Sequence, residues 1–530
     1  MKDIESGITH IIIGVPEFVV PADVIANREK VPKEKIEKGL LIKEFRFPGE
    51  SDTIITLAAN NLLKFAENIV KNDLLYKKYK ENRIGGIYFA TESSTEQSRP
   101  GSMAVLELVE PILYERMEKA QDGSREKEIY RMLLEDFRYV DSFEVKFACT
   151  AEAKGINLAN QTIGPYSKGI VVIGLDVAIY DPKKAKNAER TQGGASSLVY
   201  MTNNPLIATI DKRAVHYNLP AYDFFKPDEH TPRVPSGYGS EVDYVVTIGS
   251  AMEKFEKEFG LPLDYYIVSH VPFPKEAIYL ASFLYTHYLR KNGGIEDLEK
   301  EIGEKEPLED AKNAIELIRK VAAEYRNDSK NIDLIRYIAN DERIKQLWQF
   351  HKKVRETEGF KEFIKDLGIE YAIELPSIVG NSYNNSIVVA TASLLLNAPE
   401  LKPIVWASYG SGSGTTVTVL QPRGLDKEEL QSLIDISSLK RRTELSLDEY
   451  TNLHNKLIED TEYKRGLEAI RRGRTLVDND KEVIGNKFDD QGFKLLGIGE
   501  DGIGRYSYNG KEVELKEVKL KEVKLMPIIL

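Results

Sequence analysis

Apolar runs and helical stripes alternate along the first two hundred residues. Ile8 to Val15 (ITHIIIGV) reads as a buried strand, and Thr53 to Val70 carries the 3.6-residue spacing of an amphipathic helix. Ile84 to Thr91 (IGGIYFAT) predicts a second strand, which runs into a Thr-Glu-Ser-Ser turn. Phe143 to Cys149 leads into a helix that continues through Ala159 and Asn160. Gly169 to Asp176 (GIVVIGLD) and Ser197 to Thr202 are further apolar strands. Short apolar strands separated by helices predict a parallel sheet covered by helices.

A related pattern returns later. Tyr265 to Ser269 predicts a strand ending at His270, with a helix from Lys275 to Tyr288 behind it. Ser386 to Leu396 reads as an apolar helix, and Pro403 to Ser408 as a strand that breaks at a glycine-serine loop. This suggests two similar halves, expected over residues 1–215 and 216–425, with a C-terminal region over 426–530. Residues 293–366 are charged and helical, and read as an insertion in the second half. The tail from Lys511 to Leu525 repeats Lys-Glu-Val-x-Leu and reads as a late strand or extended arm.

Composition narrows the class. The 530 residues are 42% hydrophobic and 30% charged, as expected of a globular protein of more than one unit. No apolar run is long enough to cross a bilayer, and the charged start predicts no signal peptide. A net charge of -11 makes nucleic acid an unsuitable partner. The single cysteine excludes an intrachain disulfide and fits a reducing, cytoplasmic setting.

That cysteine, Cys149, lies at a strand-to-helix junction within FACTAEAKGINLA. The helix dipole there is expected to lower its pKa and favour the thiolate, although a lone cysteine is more often an inert core residue. His270 emerges from the carboxyl end of an apolar strand, where open α/β sheets place their ligands; a structural histidine is the commoner use of the residue. Glu92 follows a strand into a partly apolar setting that would raise its pKa and suit a base, against the plainer reading of a solvated loop carboxylate. The loop Ser408–Gly414 (SYGSGSG) is small enough to bring backbone N–H groups to an anion, yet it fits neither G-x-S-x-G nor G-x-G-x-x-G. Asn381 reads as a hydrogen-bonding residue or a plain turn asparagine. The seven histidines are scattered and no paired-cysteine motif occurs, so no metal is expected.

Taken in order, these blocks resemble the 3-hydroxy-3-methylglutaryl-CoA synthase family of the thiolase superfamily. The resemblance runs from about Ile8 to Tyr450, with a weaker echo near Phe493 to Tyr508. ATES with Glu92, KFAC with Cys149 and HVPFPK with His270 resemble the family's base, nucleophile and acid. LDVAIY (Asp176, Tyr180), NAERTQGG (Asn187, Thr191), YDFFKP (Asp223), Ser240, VGNSY (Asn381, Tyr383) and SYGSG (Ser411) resemble its binding motifs, and RTELSLDEY from Arg442 resembles a segment near its C-terminus. The chain departs from the family at Thr150, where a tyrosine is frequent, and at NNSIV after Tyr383.

The resemblance implies an α/β thiolase fold: two pseudo-repeated βαβαβαββ halves layered αβαβα, with a helical insertion and a C-terminal extension. It implies that acetyl-CoA acylates Cys149, that Glu92 removes a methyl proton, and that His270 holds the ketone oxygen of acetoacetyl-CoA. The N–H groups of Cys149 and Ser411 would form an oxyanion hole, and Thr191, Asn187, Ser240 and Lys275 would contact CoA. CoA thioesters are then substrates, and no separate cofactor is expected. A homodimer is implied, with a complex with acetoacetyl-CoA thiolase and an OB-fold protein as a further expectation. Two other readings stand beside it: a condensing enzyme of the ketoacyl-synthase or carrier-protein-dependent kind, and a non-catalytic scaffold. Glu92 argues against ketoacyl synthases, and the complete catalytic set against a scaffold.

Overall fold

The computed structural model describes residues 5–514 except 95, 165–167, 186–187, 222, 227–231, 233–236, 304–316, 318–319, 322–323, 325–339 and 502. Its strands in the first half are β1 (Ser6–Gly14), β2 (Phe18–Pro21), β3 (Glu44–Phe47), β4 (Ile84–Ala90), β5 (Asp141–Val145), β6 (Gly169–Ala178) and β7 (Gly193–Asn203). The short β8 (Ala208–Ile210) and β9 (Val215–Asn218) lead to β10 (Tyr266–Ser269), β11 (Ile404–Gly410) and β12 (Gly414–Pro422). A C-terminal set follows: β13 (Ile434–Asp435), β14 (Thr443–Glu444), β15 (Phe493–Ile498), β16 (Gly504–Tyr508) and β17 (Lys511–Glu512).

Eleven strands form one sheet in the order β10-β11-β12-β8-β1-β7-β6-β4-β5, with β13 on β1 and β9 on β12. Three-residue β8 joins the two halves by pairing with both β1 and β12. The sheet is mixed rather than parallel. β4 runs parallel to β5 and β6, and β10 to β11, whereas β1–β7, β6–β7 and β11–β12 are antiparallel. The parallel pattern expected from the apolar runs holds for these pairs and not for the antiparallel ones, for a physical reason. Every residue of β1 is buried, and nine of the ten in β6. A continuous apolar run therefore reports burial on both faces, not strand direction.

Helices cover this sheet where the periodicity places them. Ile54–Lys71 begins with a Thr53 capping box and buries twelve residues along its core face. Pro274–Asn292 and Ser386–Asn397 follow the expected positions in the second half. In the insertion, Ile295–Ile302, Glu342–Val354 and Glu358–Asp366 are helical, and much of the stretch between the first two lies outside the described residues. Of the repetitive tail, Lys511–Glu512 forms β17 against β16, and everything beyond Glu514 lies outside the described residues.

The C-terminal region is fastened to the first half. β14 pairs with β2, and buried Arg46 donates to the carbonyls of Arg441 (2.6 Å) and Leu439 (2.8 Å). Tyr450 packs edge-on against Phe45 and Phe47 at 6.1 and 5.2 Å. Lys494 of β15 makes a buried 2.7 Å ion pair with Asp52.

Candidate active site

The candidate residues lie at the carboxyl edges of the parallel strand sets in each half. Beyond β4 come Thr91 and Glu92; beyond β5, the turn to Cys149; at the end of β6, Asp176 and Tyr180; beyond β10, His270; beyond β11, Ser411. Such an edge is where open α/β sheets collect their ligands, because loops diverge there and leave a crevice.

Cys149 is buried, one residue before the cap of the Ala151–Thr162 helix. It packs among Ala178, Tyr180, Ala185 and Tyr383. The glycine-serine loop lies directly against this turn. A Cβ at Gly410 would meet the Thr150 nitrogen at 2.8 Å and the Phe147 carbonyl at 3.0 Å, so only glycine permits the approach. The Thr150 and Ser408 hydroxyls share a 2.6 Å hydrogen bond. Thr150, the departure from the family's frequent tyrosine, thus ties the Cys149 turn to β11.

The thiol's electrostatics contradict the dipole expectation. Burial pushes the Cys149 thiol well above its ordinary pKa, and the carboxylates of Glu92, Asp176 and Asp223 push it further, against a smaller opposing pull from Lys226. A helix terminus supplies partial charge only, whereas three carboxyl groups converge here from separate segments of the chain. In the free protein Cys149 is a thiol, not a standing thiolate.

Glu92 is equally enclosed. Its pKa is raised by burial and by Asp223, and held back by Lys226, whose Nζ is 3.6 Å from Oε1. That oxygen is buried and accepts no hydrogen bond among the described residues. A base needs such a free lone pair. Lys226 itself lies over the Tyr383 ring at 5.0 Å.

Asp176 is the hub behind Glu92. The Thr91 hydroxyl (2.8 Å) and the Glu92 N–H (3.1 Å) donate to its Oδ1, and the Asn384 amide donates to Oδ2 at 2.5 Å. Burial first, then the Glu92 charge, raises its pKa to about 8. On the opposite side, the Tyr409 hydroxyl lies 2.7 Å from Asp223 and 2.9 Å from Asp243, and the Gly412 N–H donates to Asp223 at 2.8 Å. Burial raises both carboxyls; hydrogen bonds from Tyr409, Gly412 and Ser411 pull Asp223 back.

His270 completes the edge from the second half. Its ring is 6.2 Å from that of Tyr409, which links it to the Asp223 side of the pocket. Its Nδ1 is 2.5 Å from the Ser386 hydroxyl, which also accepts the Val271 N–H at 3.2 Å. The Ser386 oxygen keeps a second lone pair, so it can meet Nδ1 as donor or as acceptor; as donor it leaves the ring proton on Nε2. Burial lowers its pKa to about 3, so the imidazole is neutral.

The remaining expected residues divide. Asn381 donates to the Tyr180 hydroxyl (3.2 Å) and accepts the Tyr383 N–H (2.9 Å). Its loop is pinned by the bridge between Gly193 and Gly380, whose φ of +79° suits glycine. Ser240 reaches Asp223 at 3.4 Å. The Thr191 hydroxyl is spent on the Ala188 carbonyl (2.8 Å), and its own carbonyl accepts the Asn381 N–H (3.2 Å), so it shapes the pocket wall. Lys275 lies in the first turn of the helix beyond His270, where its N–H donates to the Leu40 carbonyl at 3.3 Å. Asn187 lies outside the described residues.

Several contributors were missed in the sequence: Lys226, Asn384, Ser386, Tyr409, Asp243 and Glu152. Lys226 stood inside YDFFKP, and Asn384 and Ser386 inside NNSIV, the stretch noted only as a departure.

The chain matches no family model. Among curated proteins, hydroxymethylglutaryl-CoA synthase of Haloferax volcanii is 25% identical over 434 residues, covering 80% of this chain and 84% of that one. The enzyme of that name from Enterococcus faecalis is 22% identical over 468 residues, 87% of this chain and 94% of its own. Of solved structures, HMG-CoA synthase complexed with CoA superposes with a TM-score of 0.59 at 20% identity, over 95% of this chain and all of that one. MvaS in complex with 3-hydroxy-3-methylglutaryl coenzyme A gives 0.63 at 18% identity, over 96% of this chain and all of its own. The structural likenesses establish the thiolase-like fold. A sequence likeness over 80% of the chain thus accompanies a fold shared over 95% of it.

Proposed function

We propose that the protein condenses acetyl-CoA with acetoacetyl-CoA and water to give 3-hydroxy-3-methylglutaryl-CoA and CoA, through an acetyl thioester on Cys149. The observation that carries this reading is Glu92 Oε1, a buried carboxylate oxygen that faces Lys226, accepts no hydrogen bond among the described residues and lies beside the thiol.

Each residue has a part. Cys149 attacks the acetyl carbonyl as its proton leaves, and CoA departs with that proton on its sulfur. Glu92 then removes a proton from the methyl group of the acetylated enzyme. The resulting carbon nucleophile attacks the ketone carbon of acetoacetyl-CoA. Neutral His270 donates a hydrogen bond from Nε2 to the ketone oxygen as charge develops there. The proton that Glu92 took up balances the alcohol that forms, and water cleaves the thioester to restore the thiol. N–H groups of Cys149 and Ser411 hold the thioester oxygen. Asp176, Asp223 and Asn384 fix the carboxylate cluster, while Tyr180, Asn381 and Tyr383 wall the acyl pocket. Asn187, Thr191, Ser240 and Lys275 belong to the CoA side.

The chemistry needs no further cofactor and no metal. The protein works as a cytoplasmic homodimer in mevalonate formation, with a thiolase–OB-fold complex as a candidate assembly. Among the described residues no helix is long and apolar enough to cross a membrane.

The carrier-protein reading has one observation in its favour: the curacin-pathway HMG synthase, solved with acetyl donor-ACP, superposes at 0.62 with 16% identity. Fold alone does not separate the two donors. Mass spectrometry of the intact protein does, comparing acetyl-CoA with an acetylated carrier protein. One acetyl group gained from acetyl-CoA, followed by product on adding acetoacetyl-CoA, supports the proposal; acetylation from the carrier protein alone overturns it.

A further inference from the structure

The helix Pro274–Asn292 starts four residues beyond His270 and holds Lys275 in its first turn. Across it lies Arg355, at the end of the inserted helix Glu342–Val354. The guanidinium sits 4.6 Å from the centroid of the Tyr279 ring and 3.5 Å from the Ser282 hydroxyl, so it lies along the second and third turns of the helix that carries Lys275. Both side chains are half-buried.

Neither cation has a carboxylate within 4.0 Å among the described residues. Burial pushes both below their ordinary pKa, and Arg355 pushes Lys275 further in the same direction. Glu241 attracts Arg355 from a distance, but its own burial raises it to about 7, so at neutral pH only part of its charge is present. Two cations kept together, partly dehydrated and without a counterion, are unfavourable in the empty protein and favourable once an anion arrives. The pairing of types is informative as well. Lysine is a point charge, while arginine presents a planar fork to two oxygens of one phosphate.

We propose that Arg355, supplied by the insertion, pairs with Lys275 to bind the phosphate groups at the nucleotide end of CoA. This rests on the reading of the substrate as a CoA thioester. A phosphopantetheine arm on a carrier protein offers related phosphate chemistry, and the test separates the two sources.

Arg355→Ala, and Arg355→Gln to preserve packing over Tyr279, are compared with the parent protein. Calorimetry gives the dissociation constant for CoA. Mass spectrometry gives the Cys149 acetylation rate with acetyl-CoA, acetyl-phosphopantetheine and acetyl-pantetheine. The expected result is about 10- to 100-fold weaker CoA binding in both variants, the worth of a charge-assisted contact. The ratio of acetyl-CoA to acetyl-pantetheine rates should fall by a similar factor. A loss equally large with acetyl-phosphopantetheine would assign the pair to the phosphate nearest the arm. Unchanged CoA affinity, or an equal loss with phosphate-free acetyl-pantetheine, overturns the proposal. Absence of acetylation in the parent protein would defeat the proposed function instead, and the calorimetric arm would still report on Arg355.

Discussion

The two sides of the pocket reach their working protonation states by different physical means. Around Cys149 and Glu92 the environment is crowded with charge: Asp176 and Asp223 lie close, with Lys226 and, more weakly, Lys146 opposing them. Around His270 no charged group among the described residues contributes, and burial lowers its pKa to about 3. The carboxylate side therefore titrates as a set, whose members shift when any one is altered. The histidine side is fixed by dryness and by one hydroxyl. This division suits a condensation that needs a base on one carbon and a neutral hydrogen-bond donor on the other.

The largest effect should separate nucleophile from everything else. Cys149→Ser should abolish acetylation by acetyl-CoA in intact-mass measurements, and acetylation that survives would remove Cys149 from the chemistry. Next, Glu92→Ala should leave acetyl transfer largely intact while lowering condensation by about 10²- to 10⁴-fold, the usual worth of a positioned base. Equal loss of both steps would make Glu92 an activator of the thiol instead. On the histidine side, Ser386→Ala frees Nδ1 to carry the proton and should lower condensation by about tenfold, the scale of one hydrogen bond, with acetylation unchanged. A drop in acetylation would show that the two sides are not separable.

Charge coupling also predicts a gain. After burial, the Glu92 carboxylate adds to what keeps the thiol protonated, so Glu92→Gln should lower the Cys149 pKa and speed its alkylation by iodoacetamide at a fixed pH near 8. His270→Gln should leave that rate alone, because no histidine charge reaches the thiol. An equal response to both substitutions would erase the contrast.

The candidate site was legible in the sequence where its residues sit at the ends of apolar strands. Glu92, Cys149 and His270 each follow such a run, and their order along the chain was readable as a family pattern. Strand direction was not readable, because an apolar run such as β6 looks the same either way up. The state of the thiol was misjudged because the helix dipole is local and visible in sequence, whereas Glu92, Asp176 and Asp223 come together only in three dimensions. Asn384 and Ser386 were passed over because polar residues before an apolar helix ordinarily read as a start signal. Lys226 had no pattern around it that distinguished it from a solvated lysine.

The smallest effect concerns a carboxyl on the thiol side that takes no part in the chemistry. Glu152 lies in the first turn of the helix after Cys149, fully buried, with Ser197 Oγ at 2.5 Å from its Oε1. Ser197 Oγ is also 3.0 Å from Asn385 Oδ1, and that amide's nitrogen is occupied by the carbonyls of Ala195 and Ser382. One hydroxyl proton cannot serve two acceptors, so the second must come from Glu152 itself. Its raised pKa of about 8, driven by burial with a contribution from Asp176, agrees with a protonated carboxyl. Unfolding would expose Glu152 at its ordinary value of 4.5, so between pH 4.5 and 8 the unfolded chain holds fewer protons than the folded one. Stability then falls as pH rises across that window, by up to about 1.4 kcal/mol per pH unit from this one group. Glu152→Gln keeps a donor toward Ser197 and removes the titration. In denaturant unfolding the variant should gain on the parent steadily from about pH 5 to pH 8, with no further gain beyond. A difference independent of pH would mean that Glu152 is ionised in the folded protein and that the proton count around Ser197 is satisfied some other way.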